Sequence, residues 1–411
     1  MVEYPQSVCA EFSINWAANK FGPTYWQFIA ACQLCYNSKR QQQPVVKDSS
    51  MINSVIAYFI SAHGFGHAAR ACAVMEAVQE ISPSVHFEIF TEVPFWFFER
   101  SLNGSFKYHP LFTDVGVVQK DSLTEDLPET VRQLAQMKTF YANHKARLAE
   151  QISKLGCRLV MCDIAPLGLV TAQAANVPGV LVENFTWDWI YQGYEQLEPG
   201  LRPFIADLQA MFSSASYHIQ TEPFCAPYHA NLTTAPVSRK PRIPPEDVRK
   251  KLNIPAREPM VLITMGGVGW EYTFLERLEN MPGVHFVVPG AGHRWEQRGN
   301  LVLLPSHSEF YHPDLVNACD VIIGKVGYST LAESYHAGIP FGYVARAKFR
   351  ESETLVAYID AQMNSMRISE THFLTGDWLS TLPELLALPR LRRDGPNGAK
   401  QVAEFVMGLL N

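Results

Sequence analysis

The chain has 411 residues, 47% of them apolar, and a formal net charge of −6 from 34 basic and 40 acidic side chains. That length suits two domains with a core each. The charge balance argues against general nucleic-acid binding, and no run approaches the roughly 20 apolar residues that span a bilayer.

The first fifty residues differ from the rest and end in the polar stretch NSKRQQQPVVKDSS, which reads as a linker. Residues 1–52 are therefore expected to be an extension. The opening MVEYPQS lacks the basic segment of a secretory signal. A cytoplasmic setting with reduced thiols is the expectation. Among eight cysteines only Cys32 and Cys35 form a CxxC. Without a second pair they do not make a zinc site.

From Val55 onward strands and helices alternate. VIAYFIS is a continuous apolar run, as in a strand covered on both faces. A helix is predicted over about residues 67–81, then the strand VHFEIFT. A long amphipathic helix over residues 127–155, the strand RLVMCDI, a helix over residues 167–176 and the strand GVLVEN follow. This rhythm predicts a parallel sheet with helices on both faces, built from residues 53–240. Residues 241–258 are rich in proline and charge and read as a linker. The rhythm restarts with MVLITM, VHFVVP, NLVLLP, DVIIG and PFGYVA, so residues 259–411 form a second α/β unit. Ligands in such folds sit beyond the carboxyl ends of the strands.

Several turns are placed to face such a cleft. In SAHGFGHAAR, Gly64 and Gly66 permit a sharp turn and a close approach. His67 opens a helix, where free N–H groups favour negative charge. Its neutral imidazole could accept a proton, or it could simply cap the helix. In MCDIAP, Asp163 ends a buried strand at the same sheet edge. It could orient His67 or cap the helix near Pro166. In GKVGYSTLAESYHAGIP, Gly324 and Gly327 follow a strand, and Ser329 and Thr330 open a helix. This is a second candidate anion site. Glu333 lies one turn further and could accept ribose hydroxyls or face solvent. The stretch is not a Walker A loop, because its lysine precedes the second glycine. ITMGGVGW, with Gly266, Gly267 and Gly269, leaves room for a diphosphate or makes a plain turn. VPFWFFERSL and ENFTWDWIYQGY are rich in aromatics, for an apolar acceptor, a membrane surface or ordinary packing.

Together with DVGVVQKDSLTED, LVMCDIAPLGLVTAQAANVPGVLVENFTWDWIY and IIGKVGYSTLAESYHAGIPFGYVARAKFRESE, these turns resemble the GT-B glycosyltransferases. That group includes the peptidoglycan N-acetylglucosaminyltransferase and the UDP-sugar-dependent transferases. The likeness is strongest to the glycosyltransferase-like N-terminal region of L-arabinokinases. It runs from about Met51 and includes no sugar-kinase half, so arabinokinase activity is not implied.

The resemblance implies an α/β GT-B fold, two Rossmann-like domains facing a cleft, with the last helix packing back on the first domain. The second domain would hold a nucleotide sugar and the first an acceptor. Gly327, Ser329 and Thr330 would meet the diphosphate, with Gly64, Gly66, Gly267 and Gly269 close by. Glu333 would meet the ribose, the backbone at Ser306 and His307 the base, and Glu351 and Glu353 the sugar hydroxyls. His67 would be the base and Asp163 its partner. The implied reaction is an inverting single displacement from a UDP-sugar to a small-molecule or lipid-like acceptor. It needs no metal and no cofactor beyond the donor, no nucleic acid and no integral membrane segment. The site would be cytoplasmic or peripheral to a membrane. A nucleotide-sugar-binding module without turnover, or a UDP-sugar 2-epimerase, are the alternatives.

Overall fold

A computed structural model describes residues 54–120, 124–266 and 271–411. The extension with its CxxC, and Gly267 and Gly269, lie outside the described residues.

The first sheet contains β1 (Ser54–Ile60), β2 (Val85–Thr91), β3 (Phe106–Pro110), β4 (Cys157–Asp163), β5 (Gly179–Glu183), β6 (Tyr217–Thr221) and β7 (Leu232–Thr234). Their order is β3-β2-β1-β4-β5-β6-β7, and every pair is parallel. The apolar runs are the central strands, and β2 is buried along its whole length. Sequence reading missed β3, β6 and β7, whose short stretches FKYHP, YHIQT and LTT lack an apolar run.

The second sheet contains β8 (Met260–Thr264), β9 (His285–Gly292), β10 (Glu296–Arg298), β11 (Leu301–Pro305), β12 (Val321–Lys325), β13 (Phe341–Val344) and β14 (Ser365–Arg367). Their order is β10-β11-β9-β8-β12-β13-β14, and only β10 runs antiparallel to its neighbour. The polar strands β10 and β14 at the two edges were not legible from the sequence.

Among the parallel strands of each sheet the order reverses once, and ligands in open α/β sheets bind at such points. In the first sheet the reversal separates β1 from β4, where Ile60 and Asp163 are paired in register. In the second it separates β8 from β12. The glycine turns after β1 and β12, and Gly266 after β8, therefore lie at the sites where a crevice forms.

Local chemistry fixes these positions. The helix Pro166–Ala175 begins with proline and ends at Asn176, whose φ of 53° is left-handed. Gly168 lets that helix press onto the sheet, because a Cβ there would lie 2.4 Å from Cys162 Sγ and 2.7 Å from Phe59 Cβ. The last helix, Gly398–Leu410, packs against the helix Gly66–Ile81 and buries Val402, Ala403 and Val406. Arg158 donates to the carbonyl of Leu410 at 2.5 Å.

The aromatic segments form the helices Phe95–Ser101 and Trp187–Tyr194. Phe98, Trp187, Tyr191 and Tyr194 are buried in the core. Among the described residues no helix is long and apolar enough to cross a membrane.

Gly168→Ala should lower stability by about 1–3 kcal/mol, the usual cost of overpacking a filled core. Urea unfolding followed by circular dichroism reads this directly. An unchanged midpoint would show that the Pro166 helix can shift outward and does not fix the Asp163 turn.

Candidate active site

The turn after β1 runs through Gly64, whose φ is +73°, and delivers His67 to the second position of its helix. Asp163 at the end of β4 is fully buried. Its Oδ1 lies 2.9 Å from His67 Nδ1. No side chain caps the Pro166 helix, so of the two roles open to Asp163 the fold realises contact with His67.

A third residue joins them. Arg70, one helical turn beyond His67, donates from Nε to Asp163 Oδ2 at 2.8 Å and from Nη2 to Oδ1 at 2.6 Å. Burial alone would raise the carboxyl pKa of Asp163. The charge of Arg70 and the bonds from His67 and Arg70 outweigh it and hold the group ionised, below the usual carboxylate range. Burial works against the Arg70 charge, but Asp163 more than compensates and raises its pKa. An ionised carboxylate only accepts hydrogen bonds. Nδ1 of His67 must therefore carry the hydrogen, which leaves Nε2 as the basic nitrogen.

The network continues across to the second sheet. Arg70 Nη1 donates to Asn184 Oδ1 at 2.6 Å, and Asn184 Nδ2 donates to Glu351 Oε1 at 2.8 Å. Glu351 begins the helix Glu351–Gln362. Glu353 on the same helix is exposed and turned away.

His67 and Glu351 line a cleft of about 740 Å³, its open mouth included. Gly64 and Gly66 border it from one side, and Gly327, Ser329 and Thr330 from the other. A Cβ on Gly66 would come within 3.7 Å of Ser329 Oγ. The helix Tyr328–Ala337 thus points its first turn at the first turn of the His67 helix. Both ends offer free N–H groups to an anion.

Two cations line the same space. Lys325 ends β12, and its amine lies 3.6 Å from where a Cβ of Gly266 would stand. Burial first, then the charge of Arg346, pull its pKa down to about 7. Arg346 lies over the ring of Phe349 at 3.5 Å. Its Nε has no hydrogen-bond partner among the described residues, although only 7% of the residue is exposed. A buried, incompletely bonded guanidinium in a cleft favours an arriving anion.

Some expected residues are elsewhere. Glu333 does not line this cleft; it borders a separate hollow beside Arg239. Arg239 donates to its Oε1 from Nε at 3.0 Å and from Nη2 at 2.9 Å, and His312 Nδ1 lies 2.8 Å from Oε2. Burial would raise the Glu333 pKa, but Arg239 and His312 outweigh it and lower it. Ser306 and His307 do not line the cleft either. His307 is stacked on Trp96 with ring centroids 5.0 Å apart.

Sequence reading missed Arg70, Asn184, Lys325 and Arg346. Arg70 was legible in principle, because it lies three residues beyond His67 and so shares its helix face. Asn184 and Arg346 follow strands, and Lys325 ends one, and these strand ends meet only in the folded chain. Among the described residues no group of three or more His, Cys, Asp or Glu could hold a metal ion.

No family model matches the chain. The L-arabinokinase of Arabidopsis thaliana is 26% identical over 360 residues, which is 86% of this chain and 34% of that protein. The chain therefore spans about a third of that relative's length. Among solved structures, Arabidopsis thaliana UGT89C1 complexed with UDP superposes with a TM-score of 0.57 at 14% identity, over 87% of this chain and 100% of that one. The glycosyltransferase SnogD from Streptomyces nogalater gives 0.53 at 14% identity, over 87% and 100%. The glycosyltransferase VinC in complex with dTDP gives 0.53 at 15% identity, over 86% and 94%. The chain has the two-domain α/β fold of the GT-B glycosyltransferases.

Glu333→Gln leaves Arg239 buried without its counter-charge and should cost about 3–5 kcal/mol at neutral pH. The native carboxyl is held below its unfolded value of about 4.3. Its contribution is therefore present above that value and is lost as pH falls through the lower native one. The gap between variant and parent should narrow on acidification. Urea melts across that range test it; equal stability at neutral pH would remove the ion pair from the fold's support.

Proposed function

We propose that the chain transfers a sugar from a nucleoside-diphosphate sugar, a UDP-sugar by preference, to an acceptor bound by the first domain. The observation that carries this is the His67–Asp163 contact facing a cationic cleft between two helix starts. The fold supports it, since a structure of the same fold is complexed with UDP and another with dTDP.

Each group has a task in a single displacement. His67 Nε2 takes the proton of the acceptor hydroxyl while that oxygen attacks the anomeric carbon. Asp163 fixes the ring through Nδ1 and balances the imidazolium charge. The bond to the phosphate oxygen breaks, and its electron pair stays with the diphosphate. The transition state is oxocarbenium-like. The leaving charge is met by Lys325, Arg346 and the N–H groups at Ser329 and Thr330. One Glu351 oxygen is bonded to Asn184, and the other is available to a sugar hydroxyl. Attack from the face opposite the diphosphate inverts the anomeric centre.

One observation favours a second reading. Arg70 already takes both oxygens of Asp163, so less of that charge remains for an imidazolium. A nucleotide-sugar-binding module without turnover would need no more.

His67→Ala should cut turnover by about 10²–10⁴ and leave UDP affinity nearly unchanged. Asp163→Asn should cost less turnover, provided it folds with Arg70 unpaired. Lys325→Met should instead weaken UDP by about tenfold or more, the worth of a charge-assisted hydrogen bond. Transfer and donor-hydrolysis rates, read beside calorimetric UDP affinity, separate the readings. Tight UDP binding with no transfer or hydrolysis across acceptor pools would leave the binding module.

A further inference from the structure

The first glycine turn holds a second histidine that the displacement leaves unused. His63 lines the cleft. Its ring meets Trp187 edge-on with centroids 5.1 Å apart and lies nearly parallel to Phe349. Gly116, at φ +62°, makes room behind it, because a Cβ there would stand 2.7 Å from His63 Nδ1. The ring is thus fixed by its packing. Only the backbone N–H of His63 is bonded, to Ser61 Oγ at 3.3 Å; among the described residues neither ring nitrogen has a hydrogen-bond partner.

The surroundings of this ring are cationic. Burial first, then Arg346, His67 and Lys325, hold its pKa well below the ordinary histidine value. Trp187 and Phe349 against it are uncharged; the acidic groups of this region are buried Asp114, which accepts from Trp187 Nε1 at 2.7 Å and whose pKa burial raises to about 6, and Glu351 on the cleft wall. The imidazole is neutral and keeps one N–H. The same cations mark where an anion would sit, between the facing helix starts and beside the unpartnered Nε of Arg346.

We propose that His63 is a further catalytic residue, whose ring N–H hydrogen-bonds the diphosphate and stabilises the charge gathering on it as the sugar departs. This rests on the nucleotide-sugar reading above. The acceptor proton goes to His67, the electron pair of the broken bond goes to the phosphate oxygen, and His63 supplies a hydrogen bond to that phosphate. A bound diphosphate also offsets the charges of Arg346 and Lys325. Both His63 and Lys325 then hold a proton more readily, so binding takes up protons from solvent.

Calorimetry of the full chain with UDP, in buffers of differing ionisation enthalpy, reads affinity and proton uptake together. His63→Leu should weaken UDP by about tenfold. His63→Gln keeps an N–H donor but cannot take a proton, so it should recover most of the affinity and lose the histidine's share of the uptake. The uptake remaining in Lys325→Met should fall further in the His63→Gln, Lys325→Met double variant. Parent-like UDP affinity in His63→Leu, or loss of all uptake in Lys325→Met alone, would overturn the role of His63. If His63→Leu does not melt cooperatively, the uptake of His63→Gln decides. A parent chain that binds neither UDP nor dTDP would overturn the nucleotide reading itself, and this role with it.

Discussion

The ion pair between Asp163 and Arg70 organises the cleft. Both side chains are almost wholly buried, and an unpaired charge there would cost several kcal/mol. The pair must therefore form wherever the chain folds. It sits at the strand-order reversal of the first sheet, between β1 and β4. Forming it brings the helix after β1 to the end of β4. His67, on the same helix face as Arg70, then lands on the free side of Asp163 Oδ1. The tautomer of His67 follows from the charge of Asp163, and the charge of Asp163 follows from Arg70.

The second domain faces this arrangement with two buried cations, Lys325 and Arg346, whose charge Glu351 and Glu125 offset in part. Burial and the charge of Arg346 lower the pKa of Lys325, burial lowers that of Arg346, and the two helix starts add partial positive charge. Placing like charges together costs stability. The arrangement pays only if an anion arrives, which is the sense in which strain collects at functional sites. Glu351 offsets part of it, but its Oε1 is already engaged by Asn184.

The apolar runs made the two sheets legible, because strands covered on both faces must be continuously apolar. The edges were not, since β3, β7, β10 and β14 contain too few buried residues to leave a pattern. The site divided in the same way. His67 and Asp163 were legible because each closes or follows a buried run at one sheet edge. Lys325 stood in the quoted motif but served there only to rule out a Walker A loop. Asn184 leaves no local signal, since its partners lie more than a hundred residues away. Glu333 shows the reverse limit. The resemblance makes it a ribose ligand, and in the fold its carboxylate accepts from Arg239, which comes from the stretch between the sheets.

Polar contacts cross between the two sheets beside apolar ones such as Phe349 against Phe185, and the polar ones bear on how the cleft can work. Asn184 reaches Glu351, Arg350 Nη1 donates to the carbonyl of Trp189 at 2.6 Å, and the backbone N–H of Val237 donates to Tyr328 Oη at 3.1 Å. Arg70 lies over the Tyr328 ring at 4.9 Å. Each such bond contributes about 0.5–3 kcal/mol net. Together they are comparable to what one well-placed ligand can supply through contacts to both domains. A donor held between Ser329 and the His67 turn would make such contacts and tighten the same gap. Asn184 takes part in both events, since one of its amide atoms reads Arg70 and the other reads Glu351. The residue that would hold the sugar is thereby connected, through three side chains, to the residue that would remove the acceptor's proton.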